Sequence, residues 1–149
     1  MSDKAKTSPP SLKVEAIMTS DVQGVHTEMT VRAAILMLTK FKVSGAPVVD
    51  SLGHVVSVVS EGDLLKLAAT VGLDKPISFC LQKLVKVEKL ITLKKTSSFS
   101  EAYTTFLSHP VHRIIIVDAA GKLQGIVTRS NILKALCSSD AQPEVNKAG

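Results

Sequence analysis

Two short stretches carry residue types able to grip a phosphorylated sugar. Ser60-Glu61-Gly62-Asp63 and Thr128-Arg129-Ser130-Asn131 each place a hydroxyl three residues ahead of a carboxylate or an amide. A carboxylate can accept from both hydroxyls of a vicinal diol, while a hydroxyl and the free N–H groups of a helix start donate to phosphate oxygens. Asn131 keeps one carbonyl acceptor but loses the charge that makes such a contact strong. A third stretch, His112-Arg113, adds a planar guanidinium fork matched to phosphate and an imidazole that can charge near neutral pH. Plainer readings stay open beside these: Asp63 and Asn131 as helix caps, and His112-Arg113 as a surface pair that touches no ligand.

The elements that must hold these residues come in two copies. VSGAPVVDSLGHVVSVVSEGDLLK, from Val43, aligns without a gap on VHRIIIVDAAGKLQGIVTRSNILK, from Val111, at an offset of 68 residues. Val49/Val117, Asp50/Asp118, Gly53/Gly121, Val59/Val127 and Leu65/Leu133 are identical, so the match includes a turn as well as apolar positions. Upstream, the same offset carries Thr30 to Ser98 and Ala34 to Ala102. Thr30 and Ser98 read as N-caps of helices whose apolar residues recur at helical spacing: Val31, Ala34, Ile35, Leu38 and Phe41, then Phe99, Ala102, Tyr103 and Phe106.

Ala46 to Val49 and Ile114 to Val117 are apolar on both faces, as strands covered by helices would be. Asp50 to Gly53 and Asp118 to Gly121 are turns, because Asp bonds the backbone ahead of it and Gly tolerates positive φ. Second strands follow at Val55 to Val59 and Leu123 to Val127, then helices at Glu61 to Ala69 and Arg129 to Leu136. Each unit is thus strand-helix-strand-strand-helix, an α/β repeat of roughly 55 residues that is marginal alone and stable against a twin. The expected division is a flexible tail at 1–11, a first repeat at 12–70, a connector at 71–83, a second repeat at 84–137 and a flexible tail at 138–149.

The bulk properties agree with one intracellular unit. The chain has 149 residues, 45% of them hydrophobic, enough for a core without staples. Cys80 and Cys137 make neither a disulfide framework nor a metal pattern, and no apolar run reaches the roughly 18 residues of a membrane span. A cytoplasmic protein with no membrane partner is expected. The net charge of +5 permits attraction to anions, but the lysines are spread out and aromatics are only 3%, so nucleic acid is a poor expectation.

The phrases IMTSDV, APVVDSLGHVVSVVSEGDLL and VHRIIIVDAAGKLQGIVTRSNILKAL resemble the CBS domain family, named after cystathionine beta-synthase, whose paired repeats form a Bateman module. The resemblance covers about Val14 to Ala68 and Leu84 to Leu136. It implies tandem repeats packed as a pseudo-twofold pair, with two clefts that frequently bind adenosine-containing ligands, and a homodimer of pairs. The family's Gly-h-x-Ser/Thr-x-x-Asp pattern, with h apolar, reads Ser57-Val58-Val59-Ser60-Glu61-Gly62-Asp63 in the first copy and Gly125-Ile126-Val127-Thr128-Arg129-Ser130-Asn131 in the second. Its hydroxyl and carboxylate hold ribose and phosphate.

Val111-His112-Arg113-Ile114 is similar to the corresponding stretch of gamma subunits of AMP-activated protein kinase, where the His-Arg pair faces phosphates. By that resemblance His112 and Arg113 belong with Ser60 and Asp63, whereas the equivalent Ser44 and Gly45 offer no cation to the other cleft. Adenine would lie against Leu90, Ile91 and Ile115, which also read as plain core.

The expected function is a regulatory module that binds AMP, ADP or ATP and signals to an effector protein not identifiable from the sequence. A degenerate pair serving only protein interaction is the alternative. Sensing of S-adenosylmethionine is a further one, disfavoured by Arg113 facing a sulfonium cation. No nucleophile with its base, paired carboxylates or P-loop is visible, so no enzyme, required cofactor or metal is expected.

Overall fold

The computed structural model describes residues 10–83 and 88–148, of which 139–148 are described as backbone. The expected N-terminal tail through residue 9 and the expected start of the second repeat at 84–87 lie outside them. The first repeat comprises β1 (Val25–His26), α1 (Val31–Phe41), β2 (Gly45–Val49), β3 (Val55–Ser60) and α2 (Glu61–Thr70). A short helix, α3 (Ile77–Cys80), lies in the connector. The second repeat comprises β4 (Thr92–Leu93), α4 (Phe99–Ser108), β5 (Arg113–Val117), β6 (Leu123–Thr128) and α5 (Arg129–Ala148). Helix α5 continues past Leu136, where a loose tail was expected, and runs through Pro143 to Ala148.

The two sheets are copies of each other. Each has its short first strand parallel to the second and the second antiparallel to the third. Gly45 pairs with Ser60 as Arg113 pairs with Thr128, and both ladders slip at the same place, after Val48 and after Ile116. The offset of 68 therefore holds residue by residue, and the tandem repeats pack with pseudo-twofold symmetry. Where the two hairpins meet, the Val55 N–H donates to the Gly121 carbonyl at 3.0 Å and the Leu123 N–H to the Gly53 carbonyl at 3.2 Å. Val58, Ile115 and Val117 form a third core between the repeats.

The local devices match their sequence signals. The Thr30 side chain accepts from the Ala33 N–H and that of Ser98 from the Glu101 N–H. Gly53 and Gly121 take φ of 88° and 85°, which a side chain would strain. In those turns Asp50 accepts from the Leu52 and His54 N–H groups, and Asp118 from those of Ala120 and Lys122. The His54 and Lys122 backbone donors hold the two carboxyls below the usual carboxylate range.

The segments ahead of each repeat cross over. Residues 12–19, which the sequence assigns to the first repeat, complete the second: Val14 is fully buried in a core with Phe99, Ile114, Ile116 and Val127. Thr19 and Ile126 exchange both backbone hydrogen bonds at 2.9 Å. Conversely, Ile77 and Cys80 of the connector are buried in the first repeat with Val31, Leu38 and Leu64. Burial pushes the Cys80 thiol up, as suits an inert core residue. The crossing explains Gly125: a Cβ there would stand 2.7 Å from the Thr19 carbonyl oxygen.

Candidate functional site

Hairpin register decides which side chains share the site. Residues directly opposite on antiparallel strands point to the same face, so Arg113 of β5 sits beside Thr128 of β6. Between the repeats lies a cavity of about 620 Å³ that has Arg113, Ile126 and Thr128 on one wall and Ser44, Gly45 and Ala46 on the other. Val22 and its neighbours, emerging from the crossed segment, close a third side, and Lys42 stands at the mouth in a left-handed conformation at φ 56°.

Arg113 is the centre of the electrostatics. Its side chain is 6% exposed and crosses the gap between repeats: Nη2 donates to Ser44 Oγ at 2.7 Å, and Nη1 donates to Glu88 Oε1 at 2.8 Å. Gly45 makes the crossing possible, since a Cβ there would come within 2.6 Å of the guanidinium carbon. His112, with a side chain 57% exposed, brings Nδ1 to 3.1 Å from the same Glu88 oxygen. Glu88 is 1% exposed at its side chain, and its Oε2 is buried with no hydrogen-bond partner among the described residues. A buried charge this enclosed needs its counter-ion, and removing one partner of such a pair costs about 3–5 kcal/mol.

Arg113 was expected to serve the cleft of Ser60 and Asp63, with Ser44 and Gly45 giving the other no cation; in the structure Arg113 and Lys42 both line the cavity that contains Thr128. The reason is steric, because Gly45 leaves the space that the guanidinium fills. The sequence offered one sign of it, a glycine at the position equivalent to an arginine. Glu88 was not singled out at all. It is equivalent to Ser20 and belongs to no motif, so only folding brings it to His112 and Arg113.

The hydroxyl-carboxylate patterns are helix caps in this structure. Ser60 Oγ accepts from the Asp63 N–H at 3.1 Å while Asp63 Oδ2 accepts from the Ser60 N–H at 2.9 Å, a reciprocal capping box around a fully buried Asp63. Asn131 reproduces it, its Oδ1 accepting from the Thr128 N–H at 2.8 Å and from Thr128 Oγ1 at 3.1 Å. Of these four, Thr128 alone lines the cavity described above. Leu90 packs on the inter-repeat core, Ile115 is inside it, and the carbonyl of half-buried Ile91 accepts from the Ile115 N–H at 2.9 Å.

The family model described as "CBS domain" matches twice, over residues 14–70 and 71–138. The chain belongs to the CBS domain family. It is 30% identical over 122 residues to inosine-5'-monophosphate dehydrogenase of Aquifex aeolicus, covering 82% of this chain and 24% of the enzyme. The gamma-3 subunit of 5'-AMP-activated protein kinase of Homo sapiens is a distant relative, 34% identical over 104 residues that make up 67% of this chain and 21% of the subunit. The CBS pair thus spans about a quarter of the length of these curated relatives.

Among solved structures, CBSX2 in complex with AMP superposes with a TM-score of 0.72 at 26% identity, covering 87% of this chain and 98% of that one. A CBSX2 structure from Arabidopsis thaliana gives 0.73 at 25% identity. None of the helices among the described residues is long and apolar enough to cross a membrane.

Proposed function

We propose that this CBS pair is a ligand-sensing regulatory module, without catalysis of its own, that takes AMP, ADP or ATP between its repeats and signals to an effector protein. The observation that carries it is the inter-repeat cavity walled by Arg113, Lys42, Ser44 and Thr128, cations and hydroxyls converging on a space that Val22, Met37, Ala46 and Ile126 also line. Its volume, about 620 Å³, is of the size that holds a small cofactor. Similarity at 26% identity to CBSX2, whose crystal structure contains AMP, supports the same ligand class. Because the walls come from both repeats, a ligand that prefers one spacing of the walls shifts the pair toward it, and a partner can read that shift.

In this reading Thr128 and Arg113 receive phosphate together with His112, whose Nδ1 stands on the same Glu88 oxygen as Arg113, while Ser60 and Asp63 serve the second cleft with Leu90, Ile91 and Ile115 toward the base. Asn131 acts by holding Thr128 in its rotamer. Calorimetric titration with AMP, ADP, ATP and S-adenosylmethionine tests it. The wild-type protein binds at least one nucleotide, and Thr128→Val weakens that binding on the order of ten-fold, the worth of a hydrogen bond to a charged group. A loss confined to Asp63→Ala assigns the ligand to the second cleft. No nucleotide binding by the folded protein would leave a protein-interaction module; binding of S-adenosylmethionine alone would make it a sensor of that compound.

The module is further proposed to act as a cytoplasmic homodimer through its helical faces. Leu65 of α2 and Leu133 of α5 occupy equivalent positions and are both exposed, so the two repeats offer matching apolar faces. Beside Leu65, Ile35, Leu38, Leu64 and Ala68 line a groove of about 400 Å³ between α1 and α2. Two matching apolar faces on one chain can both be covered by a second copy in a twofold pairing. In sedimentation, the wild type runs as a dimer and the double variant Leu65→Asp, Leu133→Asp as a monomer with an unchanged melting temperature; a monomeric wild type would refute the pairing.

A further inference from the structure

We propose that Glu88 holds the place of the ligand's phosphate, so that a nucleotide binds by exchanging its own anion for this carboxylate. The inference rests on the nucleotide reading above. A single oxygen, Glu88 Oε1, takes both Arg113 Nη1, at 2.8 Å, and His112 Nδ1, at 3.1 Å. Both are groups whose chemistry suits a phosphate oxygen. The resting module therefore already holds an anion against Arg113 and His112.

Two features make that anion exchangeable. The contact with Arg113 is through one nitrogen rather than a bidentate fork, and the other terminal guanidinium nitrogen, Nη2, donates to a neutral hydroxyl, Ser44 Oγ. Glu88 Oε2 is meanwhile buried with no partner among the described residues, so the carboxylate regains hydration whenever it swings out. A phosphate can offer Arg113 two oxygens in the fork geometry that the carboxylate does not use. His112 lies at the solvent edge, with a side chain 57% exposed, which gives the outgoing carboxylate a route past it.

The position of Glu88 couples this exchange to the fold. It lies just ahead of β4, and two residues on, Leu90 packs on the core shared by the repeats. Displacing the carboxylate pulls on the strand that seats Leu90 and Ile91 against Ile115. Ligand charge is thereby converted into movement of one repeat's entry strand. Glu88 also sets selectivity, since a fixed negative charge opposes each added phosphate charge.

Titration of ATP, AMP and adenosine into the wild type, Glu88→Gln and Glu88→Asp decides the matter. Glutamine keeps an acceptor for Arg113 but no charge, so ATP affinity rises on the order of ten-fold or more, AMP affinity less, and adenosine affinity is unchanged, as expected for a like charge a few ångströms away at an effective dielectric near 20. Aspartate keeps the charge and withdraws it by one methylene, so it shows a smaller gain in the same order, with circular dichroism checking that each variant titrated is folded. Wild-type binding with no gain in either variant would overturn the role of Glu88 and leave the nucleotide reading standing. Absence of nucleotide binding in all three proteins would overturn both.

Discussion

Replacing Gly45 with alanine lowers the melting temperature by about 10 °C. The added methyl would stand within 2.6 Å of the Arg113 guanidinium carbon and 2.9 Å from the Val59 carbonyl oxygen. The carbonyl belongs to the β2–β3 ladder, where Ala46 pairs with Val59, and cannot retreat. The guanidinium must therefore leave, and it takes the counter-ion of Glu88 with it. A carboxylate with a side chain 1% exposed then remains without a cation, at a cost of about 3–5 kcal/mol, and each kcal/mol is worth roughly 2–4 °C in a domain of this size. Adding Arg113→Met and Glu88→Gln to Gly45→Ala removes both charges and recovers most of the loss. Melting of the three proteins followed by circular dichroism checks this; a Gly45→Ala protein within about 2 °C of the wild type would show that Arg113 is not seated on Gly45.

Deletion of residues 1–19 has the larger effect. It removes Val14 from among Phe99, Ile114, Ile116 and Val127, strips Ile17 and Met18 from the same core, and leaves Ile126 without its two backbone bonds to Thr19. One fully buried valine is worth about 2 kcal/mol and the two half-buried side chains together about as much again. Against the 5–15 kcal/mol typical of a whole domain, that loss is enough to loosen the second repeat while the first, whose core uses Ile77 and Cys80 instead, keeps its packing. Amide exchange is expected to rise across α4, β5 and β6 well before β2 and β3. Uniform exchange, or none beyond the wild type, would mean that residues 12–19 do not support the second repeat.

Much of the fold was legible because its signals are local. Thr30 and Ser98 announce helix starts, Asp50-Ser51-Leu52-Gly53 and Asp118-Ala119-Ala120-Gly121 announce turns, and each is satisfied by atoms within four residues. The duplication marked two copies of one unit, and the two hairpins share one register. The site was legible only in part. Sequence equivalence says that Gly45 corresponds to Arg113, but not that the two face each other, so the place of Arg113 on the Thr128 cavity was not legible. Glu88 gave no signal because a lone carboxylate acquires meaning only from the partner that folding brings, here His112 and Arg113. The crossed segments were invisible for a similar reason: Val14 and Ile77 are apolar residues whose destination is not encoded nearby.

The crossing has a consequence for how such a molecule endures dilution. Were the repeats two separate chains, the same exchange of segments would make a swapped dimer, held together only as long as the chains were concentrated enough to find each other. Joined by the connector, each half meets the other at an effective concentration in the millimolar range whatever the abundance of the protein. Tandem fusion turns an association constant into a fixed property of one molecule, so the inter-repeat cleft persists even where few copies are present.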